Sequence, residues 1–123
     1  MKSTAIEPAA LRNPSAPFSQ AMLTPSGASW LHVSGQLCPE GTCSEQAHRV
    51  WNNILTLLKA AEMDIQHITK LNQYVVSGTE ISNYTKVRNE FLAGHRPANT
   101  LVLVPELAAP GALVEVEVIA ARF

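Results

Sequence analysis

Residues 42–62 restrict the fold of this chain more than any other stretch. Ala47, Val50, Trp51, Ile54, Leu57, Leu58 and Ala61 recur there at steps of three and four, which gathers them into one stripe of a helix. Glu45, Arg49, Asn52, Asn53, Thr56 and Lys59 fall off the stripe. Thr42-Cys43-Ser44-Glu45 has the Thr-x-x-Glu form of a capping box at its start. A helix with one apolar face needs a surface to cover. The flanking segments provide it, because most of them read as strands.

Phe18–Leu23 reads as a short strand closed by the turn residues Thr24-Pro25-Ser26-Gly27, and Trp30–Ser34 as a second one ended by Gly35. Their spacing around the turn predicts a hairpin. Ile68–Val76 holds alternating and β-branched residues, the mark of a strand. After Ser77-Gly78-Thr79, a second amphipathic helix carries Ile81, Tyr84, Val87, Arg88 and Phe91 along one side, stopped by Gly94 and Pro97. Thr100–Val104 and Leu113–Ala121 complete the strands, with a loop over Pro105–Gly111 between them. The first 17 residues, with Pro8, Pro14 and Pro17, read as an extended lead-in. The order strand, strand, helix, strand, helix, strand, strand predicts an α+β layer, a single sheet with both helices on one face. No repeat or linker divides the chain, so one domain is expected over residues 1–123.

The other face of that sheet then needs cover of its own. Charged residues make up only 15% of the chain, against roughly 25% in an average soluble protein. Polar cover is therefore short, and burial of the open face between copies of the chain is expected. The formal net charge of −1 argues against a nucleic-acid groove, which needs a basic stripe. No apolar run approaches the ~20 residues of a membrane span. Met1–Ser15 carries Lys2, Glu7 and Arg12 without an apolar stretch, unlike a secretory leader. A cytoplasmic, soluble protein is the expectation.

Cys38 and Cys43 are the only cysteines, too few for a disulfide scaffold. His48 and His32 do not complete a metal set with them, since no second Cys pair or close His pair is present. Two loop or buried thiols are expected, and no metal. His67 and His95 flank elements, and none of the four histidines has a catalytic partner at a recognisable spacing.

Several short patterns occur in a consistent order: Pro17-Phe18-Ser19-Gln20-Ala21, Ser34-Gly35-Gln36, Gln46 and Asn53, Asn89 and Phe91, Arg96-Pro97-Ala98, and Val114-Glu115-Val116-Glu117-Val118-Ile119-Ala120. In order, spacing and total length they resemble the RidA/YjgF family of imine and enamine deaminases across nearly the whole chain. The resemblance implies a chorismate-mutase-like fold, a homotrimer with its sheets inward, and small-molecule pockets in the clefts between subunits. It implies hydrolysis of reactive imines or enamines with release of ammonia, with no metal and no organic cofactor. A non-catalytic trimer that binds a small metabolite or a partner protein in the same clefts is the alternative. RNA cleavage, also attached to this family, fits poorly with the charge balance and with the lack of a histidine pair.

Glu115 and Glu117 are two apart and share a strand face opposite Val114, Val116 and Val118. That pattern alone also describes a solvated strand face. By resemblance Glu115 matches the family's pocket glutamate and is the expected catalytic proton carrier, while Glu117 matches a structural position. Ser34 and Gly35 match a pocket segment where glycine admits close approach, although a glycine simply ending a strand has the same pattern. Phe18, Asn99, Thr100 and Leu101 are the remaining expected substrate contacts. Two of them depart from the family. The deaminases carry arginine where Asn99 stands, so a bidentate ionic grip on a carboxylate is gone. They carry tyrosine where Phe18 stands, so a hydroxyl is gone. An uncharged or aromatic ligand suits such a pocket. Arg96, three residues before Asn99, reads as a surface arginine within reach of it.

Overall fold

The capping box predicted at Thr42 is formed, and it starts the first helix. Thr42 Oγ1 accepts the Glu45 backbone N–H at 3.2 Å, and Glu45 Oε1 accepts that of Thr42 at 2.9 Å. The computed structural model describes residues 1–123. In chain order its elements are β1 (Thr4–Ile6), β2 (Ala21–Leu23), β3 (Ser29–Gln36), α1 (Cys43–Ala60), β4 (Ile68–Val76), α2 (Ile81–Leu92), β5 (Ala98–Val104) and β6 (Val114–Arg122). A 3₁₀ turn at Ile65–His67 leads into β4.

β3, β6, β4 and β5 form one sheet in that order. β6 is antiparallel to both β3 and β4, and β4 and β5 run parallel across the α2 connection. Both helices cover one face of this sheet, the predicted α+β layer. The alternation along β6 explains why: Val114, Val116, Val118 and Ala120 are buried, while Glu115, Glu117 and Ile119 between them are only partly so. Ala47, Val50, Trp51, Ile54 and Leu58 of α1 and Leu71 and Val75 of β4 complete the same core. Burial of each large aliphatic side chain there contributes about 1.5–3 kcal/mol. Leu57 leaves the predicted stripe and is exposed. Gln46, on the buried side of α1, donates to the carbonyls of Gly41 and Gly111 and accepts from Leu113 N–H, tying the loop before β6 to the helix.

The chain departs from the sequence reading at its N-terminus. Phe18–Leu23 and Trp30–Ser34 do not form a hairpin. β2 is only Ala21–Leu23, and it pairs antiparallel with β1, a strand within the stretch expected to be an extended lead-in. Ser3 Oγ and Thr24 Oγ1, 2.7 Å apart, close that small second sheet. The residues at 24–27 break the strand as expected. They do not dictate that the flanking strands pair, and nine-residue β6 offers β3 a far longer ladder than three-residue β2. Cys38 and Cys43 are free thiols.

Candidate functional site

The ladder between β3 and β6 is regular from Ser29 to Val33 and then slips. Val33 faces Val118 and Gln36 faces Val116, so three steps on β3 match two on β6. The extra residue falls at Ser34-Gly35, a β-bulge, where pairing is interrupted and a strand is bent. Glu115 fills the space this creates. A Cβ on Gly35 would lie 1.9 Å from Glu115 Oε2 and 2.8 Å from its Cδ. Only glycine leaves that seat open, so the sequence couples Gly35 to Glu115 although the two lie on different strands.

Glu115 faces Tyr74 across the β4 ladder, and Glu117 faces Asn72. The two glutamates have different surroundings. Glu117 accepts a hydrogen bond from the Tyr74 hydroxyl at 2.7 Å, and that bond to a carboxylate holds the Tyr74 pKa above its ordinary value. Glu115 makes no side-chain hydrogen bond of this kind and stays available on the face opposite the helices. Thr100, on the same face, accepts from Lys70 Nζ at 3.0 Å.

The remaining predicted contacts gather at edge strand β5. Ser19 bridges to Ala98, and its N–H donates to the Pro97 carbonyl at 3.1 Å, which lays the Phe18 segment beside the start of β5. Arg96 fastens this junction: its Nη2 donates to the carbonyls of Phe18 and Asn13 at 2.9 and 3.1 Å. Leu101 packs against the helix-covered core. Asn99 is in register with buried Leu71 and so projects toward the helices. Glu115 thus meets the Ser34-Gly35 bulge at Gly35, whereas the Phe18 segment, Asn99 and Leu101 lie at edge strand β5. β4 separates β6 from β5, about 10 Å at ordinary strand spacing, and Asn99 and Glu115 leave the sheet on opposite sides.

Behind Asn99 lies a polar network that the sequence reading did not assemble. Gln73 Oε1 accepts from both the Tyr84 hydroxyl and Arg88 Nη1, and Gln73 Nε2 donates to Asn99 Oδ1 and to the Thr100 carbonyl. Arginine can only donate, which fixes the orientation of the Gln73 amide and hence that of Asn99. Asn99 therefore keeps its NH₂ free. Burial lowers the Arg88 pKa and pushes the Tyr84 phenol well above its ordinary value. The visible signal was a charged residue on the apolar stripe of α2; its partner Gln73 lies between Leu71 and Val75 on the buried face of β4.

An open groove of about 1160 Å³ lies between the β1–β2 pair and the end of β6, edged by Met22, His95 and Phe123. It includes none of the residues expected to bind substrate.

A family model described as Endoribonuclease L-PSP matches residues 8–122. The 2-iminobutanoate/2-iminopropanoate deaminase of Bos taurus is 32% identical over 126 residues, spanning 98% of this chain and 88% of the bovine one. The mitochondrial protein MMF1 of Saccharomyces cerevisiae is 30% identical over 112 residues, 85% of this chain and 74% of the yeast protein. Among solved structures, the Rid-family protein YyfB of Yersinia pestis superposes with a TM-score of 0.83 at 28% identity, over 99% of this chain and 100% of that one. Yeast Mmf1 superposes with a TM-score of 0.70 at 26% identity, again over 99% and 100%.

Proposed function

The chain belongs to the endoribonuclease L-PSP family, the Rid/YjgF proteins that its motifs resemble, and from that premise we propose that it hydrolyses the C=N bond of a small imine, or of the enamine in equilibrium with it. The observation that carries this reading is the Glu115 carboxylate seated on Gly35 at the bulge. A relative named for imine deamination supports the same chemistry.

Water adds its oxygen to the carbon of the protonated imine and gives up one proton, leaving a carbinolamine. The nitrogen then takes up a proton and the C–N bond breaks, its electron pair leaving on nitrogen as ammonia, while an oxygen lone pair forms the C=O bond and the hydroxyl proton is lost to leave the carbonyl product. One group must take a proton from water and return one to nitrogen, a task suited to a carboxyl held in place. Glu115 is that proton carrier. The interrupted backbone at Ser34-Gly35 orients the water and the substrate, and Phe18 and Leu101 receive an apolar or aromatic body. A ligand that touches both the Glu115 group and the Asn99 group does so across two copies of the chain. The assembly is a homotrimer with the open sheet faces inward, a reading supported by half-exposed Trp30 and by Val102 on that face.

The test generates imines in situ from aliphatic and aromatic amino acids with an amino-acid oxidase and follows their decay. Faster decay with the protein, abolished in Glu115→Gln, is expected; an unchanged decay for every imine sinks the catalytic reading. One observation favours the alternative of a non-catalytic metabolite-binding trimer: Asn99 is neutral and its carbonyl oxygen is already taken by Gln73. Ligand binding without turnover would select that alternative.

A further inference from the structure

The open groove of about 1160 Å³ between the β1–β2 pair and the end of β6 is where the charge of the chain is least evenly shared. Lys2, Arg12, Arg96 and Arg122 line it, four of the nine lysines and arginines, against Glu7 alone of the ten aspartates and glutamates. Glu7 is already engaged, its Oε1 accepting the Gln20 N–H at 3.0 Å. The rest of the molecule, with five bases and nine acids, is correspondingly negative. The topology accounts for the gathering. β6 runs antiparallel to β4, and β4 parallel to β5, so the end of β6 and the approaches to β4 and β5 meet at one end of the sheet. Arg122, His67 and Arg96 come from those three places, and the N-terminal segment adds Lys2 and Arg12.

Two of these charges are poorly compensated by the chain. The buried side-chain polar atoms without a partner are Trp51 Nε1, Arg96 Nε and Arg122 Nε, so two of the three belong to arginines of the groove. Arg96 uses Nη2 on the neutral carbonyls of Phe18 and Asn13. Arg122 meets only Glu62, at 4.0 Å and with the Glu62 side chain 88% exposed, a geometry worth little in water. Nη1 of neither arginine is among the sealed atoms, and both remain open to a ligand. His67 Nδ1 accepts the Asp64 N–H at 3.0 Å, which leaves Nε2 of the neutral ring as a further donor. A cleft lined by charges of one sign concentrates counter-ions, and guanidinium forks with a lysine suit phosphate oxygens. We propose that this groove binds a di- or triphosphate group, held by Arg122, Arg12, Lys2 and the open edge of Arg96. Such a group spreads its charge over several oxygens and meets several cations at once, which a single carboxylate cannot do. The site is separate from the Glu115 seat: Glu115 and Arg122 are seven residues apart on β6, about 23 Å along a strand.

Sodium tripolyphosphate and ATP are the probes, with adenosine as the uncharged control, and binding is followed by calorimetry at low salt. Both phosphates should bind and adenosine should not, and added salt should weaken the binding. Arg122→Gln and Arg12→Gln should each lower affinity about tenfold, the loss of one charge-assisted contact. Lys86→Gln removes a charge outside the groove and should change affinity by less than about twofold. Equal affinity for ATP and tripolyphosphate would mean that the phosphate chain alone is recognised; ATP at least about tenfold tighter would mean that an organic phosphate ester is the occupant. The proposal is overturned if neither phosphate binds, if adenosine binds as well as ATP, or if Lys86→Gln loses as much as the groove variants. It is overturned equally if folded Arg122→Gln and Arg12→Gln both bind like the wild type. Should the variants fail to fold, NMR of the wild type decides. Tripolyphosphate should shift the ring resonances of His67 and His95, which line the groove, and leave His48 on α1 in place; the reverse pattern, or no shift at all, removes the site.

Discussion

The two faces of the four-stranded sheet are made of the same strands and have opposite characters. On the helix side, Val114, Val116, Leu71 and Val75 are sealed, and the polar groups among them, Gln73, Tyr84 and Arg88, are joined in a network. On the other side, Glu115, Glu117, Tyr74 and Thr100 alternate with apolar Val102 and Trp30, both of them exposed in the single chain. A strand with period-two alternation always has two faces, but here one is finished within the chain and the other is not. The finished face carries the stability and, behind β5, a stored positive charge. The unfinished one carries the carboxylate.

Tryptophan provides the most direct way to break this contrast. Trp51 is 0% exposed and stacks on Phe91 with ring centroids 6.0 Å apart. Trp51→Ala is expected to cost about 3–5 kcal/mol in denaturant unfolding, as large-to-small core changes do. Trp30 is 51% exposed, and Trp30→Ala should leave the unfolding of dilute protein within about 0.5 kcal/mol of wild type. If the proposed trimer forms, Trp30→Ala acts on assembly: sedimentation should show a lower mass, and apparent stability should become more dependent on concentration. Equal losses from the two substitutions would mean that the open face is as complete as the covered one.

Gly35→Ala sharpens the contrast from the side of chemistry. The added Cβ would displace the Glu115 carboxylate, whose Oε2 stands 1.9 Å from that position. Gly35 is not among the glycines with positive φ, and the group that must move is the end of a flexible side chain. Imine turnover should therefore fall at least about a hundredfold, the scale of a lost proton carrier, while stability changes by less than about 1 kcal/mol. A large stability loss with activity retained in the folded fraction would make Gly35 a structural glycine and nothing more. On the covered face, Gln73→Leu leaves the Tyr84 hydroxyl and Arg88 without their shared acceptor. A loss of about 1–3 kcal/mol is expected in thermal or denaturant unfolding.

The helix α1, strands β4 and β6, and the alternation of Glu115 and Glu117 against Val114, Val116 and Val118 were legible in the sequence, because they rest on local periodicity. Thr42-x-x-Glu45 states its own geometry. The pairing of β2 was not legible, since a turn signal says where a strand ends and is silent on which strand lies beside it. The Gly35–Glu115 seat joins residues eighty positions apart and depends on a one-residue bulge, which no local pattern encodes. Glu115 enters the candidate site through family motifs rather than spacing. Arg88 was placed on the correct helix side, but an arginine in an apolar stripe does not reveal whether a carboxylate waits across the interface. Here Gln73 waits there instead, and only the fold brings that amide between Arg88 and Asn99.

The smallest expected effect is a titration, and it separates the two faces through the only two tyrosines in the chain. Tyr74 is raised above the ordinary phenol range, about 10, chiefly by its hydrogen bond to the Glu117 carboxylate. Tyr84 is raised further, chiefly by burial. A phenol with a raised folded pKa contributes stability that is fully present below the unfolded pKa. As pH rises past about 10 the unfolded chain loses its proton first, and the contribution declines until the folded pKa is passed. Phenolate absorbance should therefore show one step somewhat above the ordinary value and a second that appears only as the chain unfolds. Tyr74→Phe should remove the first step alone, and Glu117→Gln should return it toward the ordinary value. If Tyr74 titrates in the wild type like a free phenol, its bond to Glu117 does not persist in solution. Glu117 would then be as available as Glu115, and the assignment of the proton carrier to one glutamate of the pair would lose its structural basis.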